Sequence, residues 1–388
     1  MAELQAKRSE QALPQAELLG LIENRRGPLS ARAMHVASVR FRQEREVLVC
    51  LRQRTFCDTF QPLRRVPMRH APLFLTWIFL VLVSAGALAL ETDAIKDMRG
   101  DEGVLMDLRP TGAVYLAPNR ILVTDSNNRQ LHIFDLEGRR FRRLNLPRDM
   151  PSPSYSGIAS LGEDTFLVCG DHFHEKNAVR FIHARSVLHR YVMQGEGWTR
   201  DSADTNFNPD ATFRRTGHFG QTVKNPLKLE GLAVDSKQKR IFFGLSRPVG
   251  PDGSVLIYEA RLDEVMARDR NLEFHDVKPQ LIPEVEAAVG QAFYLSDMCY
   301  VPGKGLLVLL ASQSPDGRRF GSNQLWLLRG GFGPARLVGK EIAPGNRAAG
   351  LAVREEGKNT YEATLVCDND PERTGMPSRL VTIRGLKL

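Results

Sequence analysis

The sequence predicts an all-β chain folded as a single β-propeller. Five stretches beyond residue 100 can be laid over one another: apolar strand, turn, second apolar strand, polar loop, third strand. Pro251-Asp252-Gly253 and Pro315-Asp316-Gly317 fall at the same place in the third and fourth stretches. Pro fixes φ at the first turn position and Gly supplies the positive φ that closes the turn. Only Leu262–Arg270 and, less regularly, Pro283–Gln291 carry helical periodicity. One small sheet of this kind cannot bury both faces alone, so repeats of this size stack around an axis and close into a ring.

Ahead of the repeats lies a different kind of chain. Residues 1–67 hold 12 Lys/Arg against 7 Asp/Glu, without sustained periodicity, and read as an over-extended N-terminus. From Met68 the pattern becomes that of an export signal: Arg69, the apolar run Leu73–Val83, and Ala87-Leu88-Ala89 as an A-x-A cleavage site. The alternative is a signal anchor, since residues 71–90 are apolar enough to span a bilayer with Arg64, Arg65 and Arg69 on the cytoplasmic side. Either way residues 90–388 are expected outside the cytoplasm, periplasmic or secreted. A membrane is a partner only if the segment stays uncleaved.

The chain's net charge of +8 belongs mostly to that N-terminus, because residues 90–388 carry 40 Lys/Arg and 38 Asp/Glu. Without basic stretches interleaved with aromatics, no nucleic-acid partner is expected. Apolar residues at 42% and charged ones at 25% exclude a disordered or multi-span protein. Cys169, Cys299 and Cys367 each sit in or beside a strand-like run and read as small buried hydrophobes, with one disulfide as the alternative.

The repeat units follow in order. The first spans Ala113–Asp135, and the second runs from Gly157 to near Phe181. The third begins at Leu229, the fourth at Leu295 and the fifth at Ala349. Six blades fit residues 90–388 best, at about 50 residues each, with five as the alternative. The interval between the second and third units holds a sixth blade or a polar insertion near 193–228, and Val104–Leu108 reads as the strand that completes the last blade.

In a propeller, the loops entering the innermost strands meet at one mouth of the channel. Glu230 and Asp297 read as the same slot in two blades, with Gly157 and Gly350 at or beside it in others. Two carboxylates converging on the axis can bind a hard divalent cation through oxygen, calcium or another, or act as acid and base. A second slot, after the next strand, holds Asp125, Asp171, Ser246-Arg247, Ser312-Gln313 and Asp368-Asn369-Asp370. Asx-turn bonding explains such residues structurally. Functionally, Asp125 and Asp171 are candidate ligand-binding groups, Asp368 is a candidate metal ligand, and Arg247 is the cation placed to meet an anionic ligand. His172 and His174 form an H-x-H segment with a weaker claim on a transition metal. The nucleophile-elbow, H-E-x-x-H, P-loop and dinucleotide signatures are missing.

Leu229-Glu230-Gly231-Leu232-Ala233 with Gly244-Leu245-Ser246-Arg247-Pro248-Val249 resembles the E-G-L-A…G-L-R-G-P pattern of the bacterial domain-of-unknown-function family 3616. Ala349–Val353 and Leu365–Asp368 are similar to that family's final repeat. The resemblance implies a propeller and no particular reaction. The Glu-Gly pair also resembles lactonases of the gluconolactonase and regucalcin type, and phytase-like and esterase-like propellers. The lactonase likeness implies Glu230 as a ligand of a divalent metal, with Asp297 and Asp368 as companions. Two functions are therefore expected. One is an exported, monomeric binding module taking a small molecule or protein at the channel mouth. The other is a divalent-metal-dependent hydrolase of lactones or phosphate or carboxylic esters, with Glu230 and Asp297 catalytic.

Overall fold

The computed structural model describes residues 92–388, except 93, 101, 104–107, 128–129, 146–153, 172–187, 195–196, 201–227, 251, 268–275 and 280–282. The export segment 68–89, its anchor reading and the His172/His174 pair lie outside the described residues. Among the described residues, no helix is long and apolar enough to cross a membrane.

After the short strand β1 (Ala94–Asp97), the chain lays down antiparallel sheets in sequence order. The first blade is β2 (Pro110–Ala117), β3 (Arg120–Asp125), β4 (Gln130–Asp135) and β5 (Arg140–Asn145). The second is β6 (Tyr155–Ser160), β7 (Thr165–Gly170), β8 (Leu188–Gln194) and β9 (Gly197–Arg200). The third is β10 (Lys228–Asp235), β11 (Arg240–Arg247), β12 (Leu256–Arg261) and β13 (Asp276–Pro279), with helix α1 (Leu262–Met266) following β12. A hairpin, β14 (Val285–Glu286) and β15 (Gln291–Ala292), precedes the fourth blade. That blade is β16 (Tyr294–Val301), β17 (Gly305–Gln313), β18 (Phe320–Arg329) and β19 (Ala335–Ile342). The fifth blade takes β20 (Ala348–Gly357), β21 (Thr360–Cys367) and β22 (Arg379–Leu386), with helix α2 (Pro371–Thr374) between the last two. Its outermost strand is β1, paired antiparallel to β22 from Ala94↔Thr382 to Asp97↔Arg379.

The blades number five, not six. Their innermost strands neighbour one another in closed cyclic order β2, β6, β10, β16, β20, so the second blade and the third are adjacent in the ring with no blade between them. Five apolar clusters say the same, each filling one seam between consecutive blades. Residues 193–194 and 197–200, at the start of the expected insertion, belong to β8 and β9, the outer strands of the second blade.

Burial on both faces explains the sequence of the second strands. Leu306-Leu307-Val308-Leu309-Leu310 in β17 is fully buried along its whole length, alternate residues packing toward the third and the fifth blades. Unbroken apolar runs, rather than alternating ones, are what a sheet covered on both sides requires. Cys169 and Cys367 lie in these seams, and Cys169, Cys299 and Cys367 are all free thiols.

Two local expectations are corrected. The closing strand is Ala94–Asp97; Val104–Asp107 lie outside the described residues, and Leu108 is a buried anchor whose carbonyl accepts from Ser378 Oγ at 2.6 Å. Pro283–Gln291 forms the β14–β15 hairpin, turning through Gly290 at φ +69°, a conformation incompatible with helix.

Candidate functional site at the channel mouth

Each innermost strand carries a β-bulge near its start, at the same place in all five blades. In β10, Leu229 pairs Leu245 and Gly231 pairs Gly244, leaving Glu230 bulged. The corresponding bulged residues are Thr111 in β2, Ser156 in β6, Ser296 in β16 and Ala349 in β20. A bulge re-aims its side chain and is a common device at barrel and ring rims.

These five residues form an inner tier around a cavity of about 390 Å³. Two positions earlier along each strand the side chain points the same way. That outer tier is Arg109, Ser154, Lys228, Tyr294 and Arg347, and all five line the cavity. The ends of the second strands complete the wall with Ser126, Asp171, Ser246, Arg247, Gln313 and Asp368.

The bulge divides the expected site residues. Glu230 lines the cavity and pairs with Lys228 Nζ. Asp297 is not its counterpart. It occupies the next position inward, which is Gly112, Gly157, Gly231 and Gly350 in the other blades. Asp297 is 0% exposed and does not line the cavity. Its Oδ1 accepts from the Met298 amide at 2.8 Å and its Oδ2 from the Leu351 amide of the fifth blade at 2.7 Å. Burial pushes its carboxyl well above the ordinary range, the two amides pull it down, and Glu230 adds a further upward push.

Asp125 is displaced by one residue in the same way. It pairs with Pro110 in register, whereas Asp171 and Asp368 come one step beyond the matching pairs, so the first blade's counterpart in the wall is Ser126. Asp125 is fully buried, with Oδ1 accepting from the Asn127 amide at 2.9 Å and Oδ2 lying 3.4 Å from His132 Nε2. Bonding to the backbone two residues on is the Asx-turn arrangement. Asp171 and Arg247 do line the cavity.

Asp368 is enclosed by cations. Arg347 pairs with its Oδ2 and donates from Nε to its carbonyl at 3.0 Å, and Arg109 Nε lies 3.5 Å from Oδ2. Arg109 also reaches Asp370 at 3.2 Å, and Asn369 ties the turn to Asn346 at 2.9 Å. The expected metal set therefore does not fit a cation. Glu230 faces a lysine, Asp368 faces arginines, and both oxygens of Asp297 are taken by amides. Among the described residues no three His, Cys, Asp or Glu side chains are placed to hold a metal ion.

Arg109, Lys228, Tyr294 and Arg347 were not anticipated. Counting two residues upstream of the residue before the Gly or Asp of each unit reaches them in every blade. That signal is in the sequence once the bulge is known.

No family model matches the chain. No curated protein matches it. Among solved structures, it is similar to a PQQ-bound aldose sugar dehydrogenase from Streptomyces coelicolor at 15% identity, covering 76% of this chain and 99% of that one, with a TM-score of 0.38. A luciferin-regenerating enzyme is similar at 9% identity, covering 76% and 97%, with a TM-score of 0.40. A chain of a nidogen/laminin complex is similar at 9% identity, covering 77% and 94%, with a TM-score of 0.35. At these values the likenesses carry no function to this chain, and the propeller assignment stands on the ring of five sheets.

Proposed function

We propose that the chain is a propeller-built binding module that takes a small polar molecule at the channel mouth. One observation carries this reading: two tiers of side chains, one residue per blade in each, converge on a single cavity of about 390 Å³. That volume is in the range of small-ligand pockets, and convergent polar groups on rigid strands are what fixes a ligand's orientation. The wall is mostly hydroxyl, guanidinium, ammonium and carboxylate, which suits a hydrophilic ligand more than an apolar one. The divalent-metal hydrolase reading, with Glu230, Asp297 and Asp368 around one cation, has no such support, because their oxygens already face other partners.

The test is a thermal-shift screen of the purified protein against polar metabolite-sized compounds, followed by calorimetry. At least one class is expected to raise the melting temperature in a saturable way, and Tyr294→Ala should abolish the shift. A screen in which nothing moves the melting temperature would reject the reading. The same preparation, assayed for lactone and phosphoester hydrolysis with and without chelator, tests the hydrolase. We further propose that the protein works outside the cytoplasm, on the strength of the export-type residues 68–89; a mature N-terminus at Leu90, found by sequencing protein recovered from cells, checks that.

A further inference from the structure

We infer that the ligand of this cavity is an anion, a carboxylate or a phosphate, that also carries hydroxyl or amino hydrogen-bond donors; this rests on the binding reading above. The argument comes from which lining groups are already partnered. Of the four lining cations, Lys228 is matched by Glu230, and Arg347 and Arg109 by Asp368 and Asp370. Arg247 is the exception: exposed at the rim, it makes no ion pair among the described residues. Its guanidinium offers a planar fork of N–H donors suited to carboxylate or phosphate oxygens.

Tyr294 adds a neutral donor to the same wall. Its hydroxyl has no hydrogen-bond partner among the described residues, and it feels Arg347 and Arg247 on one side and the Glu230 and Asp368 carboxylates on the other. Burial pushes the phenol up to about 12, so it keeps its proton at any physiological pH and can donate it to an anion.

The serines supply the opposite polarity. Ser156 donates to the Gly170 carbonyl at 3.2 Å, Ser246 to Lys228 O at 3.4 Å, and Ser296 to Ala348 O at 2.5 Å. A hydroxyl whose proton is engaged in this way can offer a ligand only its lone pairs. Those lone pairs call for O–H or N–H groups on the ligand. The anionic end therefore meets Arg247 and Tyr294, and the donor-bearing end meets the hydroxyl oxygens of Ser156, Ser246 and Ser296.

Calorimetry on the full chain tests this with glycolate and glycerol phosphate as hydroxylated anions, acetate and methyl phosphate as anions lacking hydroxyls, and glycerol and ethanolamine as a neutral and a cationic control. Glycolate or glycerol phosphate should bind, tighter than acetate or methyl phosphate respectively, and the pair that binds identifies the acid group. Arg247→Ala should weaken that binding about tenfold or more and Tyr294→Phe by a smaller factor, both with unchanged melting temperature. Glycerol or ethanolamine binding at least as tightly, with Arg247→Ala without effect, would overturn the anion assignment while leaving a binding module in place. Binding by none of the six, when the broad screen does find a ligand, would likewise overturn it alone.

Discussion

The Asp297 carboxylate, on the innermost strand of the fourth blade, accepts the Leu351 amide of the fifth blade at 2.7 Å, joining two blades beside the axis. The other four blades have glycine at this position, where neighbouring atoms crowd the space a Cβ would take, and only the fourth carries a side chain there. Replacing it by alanine strands two buried amides. Asp297→Ala should cost about 1–3 kcal/mol for each amide left without a partner, read as a lower urea midpoint. Asp297→Asn retains one acceptor and should lose less.

The same residue predicts a pH dependence. Because its folded-state pKa lies above its unfolded value, the folded protein holds this proton when the unfolded chain has released it. Its contribution is then present below the unfolded value, about 4, and is lost as pH rises toward the folded value. The stability of the native protein relative to Asp297→Asn should fall as pH is raised above that point. A difference independent of pH in paired denaturation curves would contradict this.

At Gly350 the innermost strand of the fifth blade approaches the first. A Cβ there would stand 2.8 Å from Gly112 Cα and 2.4 Å from Val366 Cγ2. Backbone cannot step aside as a flexible side chain can. Gly350→Ala should destabilise the ring by on the order of 1–3 kcal/mol, the usual cost of overpacking, whereas Gly375→Ala, with open space around it, strains only its own turn. Differential scanning calorimetry of the two variants separates the effects.

How much of this was legible in the sequence depends on the length scale. Runs such as Leu306–Leu310 and Ile241–Leu245 announce strands buried on both faces, and their recurrence announces the propeller. The blade count was less legible, because a polar interval between Phe181 and Leu229 has the length of a blade without being one. The closing strand Ala94-Ile95-Lys96-Asp97 is four residues long and only partly buried. Nothing in its composition competes with the apolar Val104–Leu108. The site was misread by a single residue. A one-residue slip moves a strand's side chains to the opposite face, and bulges leave no residue-type signature of their own. Glu230 was therefore matched to Asp297 instead of Ser296, and Asp125 to Asp171 instead of Ser126.

Across the seam between the fifth and first blades, the Tyr115 hydroxyl donates to Glu362 at 2.8 Å and lies 2.6 Å from Thr364 Oγ1. Glu362 is 1% exposed and is also held by Arg354 at 2.7 Å and Arg384 at 3.1 Å. Tyr115→Phe removes one member and leaves both arginines on the carboxylate. It should cost about 1 kcal/mol, measured by chemical denaturation.

Buried thiols offer a chemical check of the blade seams. Burial pushes Cys169 and Cys367 up to about 12, far from the thiolate form that alkylating reagents attack. Both should stay unmodified by iodoacetamide at pH 8 in the native protein and react after unfolding, read by peptide mass spectrometry. Labelling of either in the native state would mean that its seam opens.

The pairing of β1 with β22 spans nearly the whole repeat array, so the last sheet draws on both extremes of it. A ribosome delivers Ala94–Asp97 long before Arg379–Leu386 exists to receive it. Four blades can assemble while synthesis continues, but the circle stays open until the final strand emerges, and translation that stops short of residue 379 leaves a molecule with an unmatched sheet edge at its gap, the kind of edge that recruits other chains.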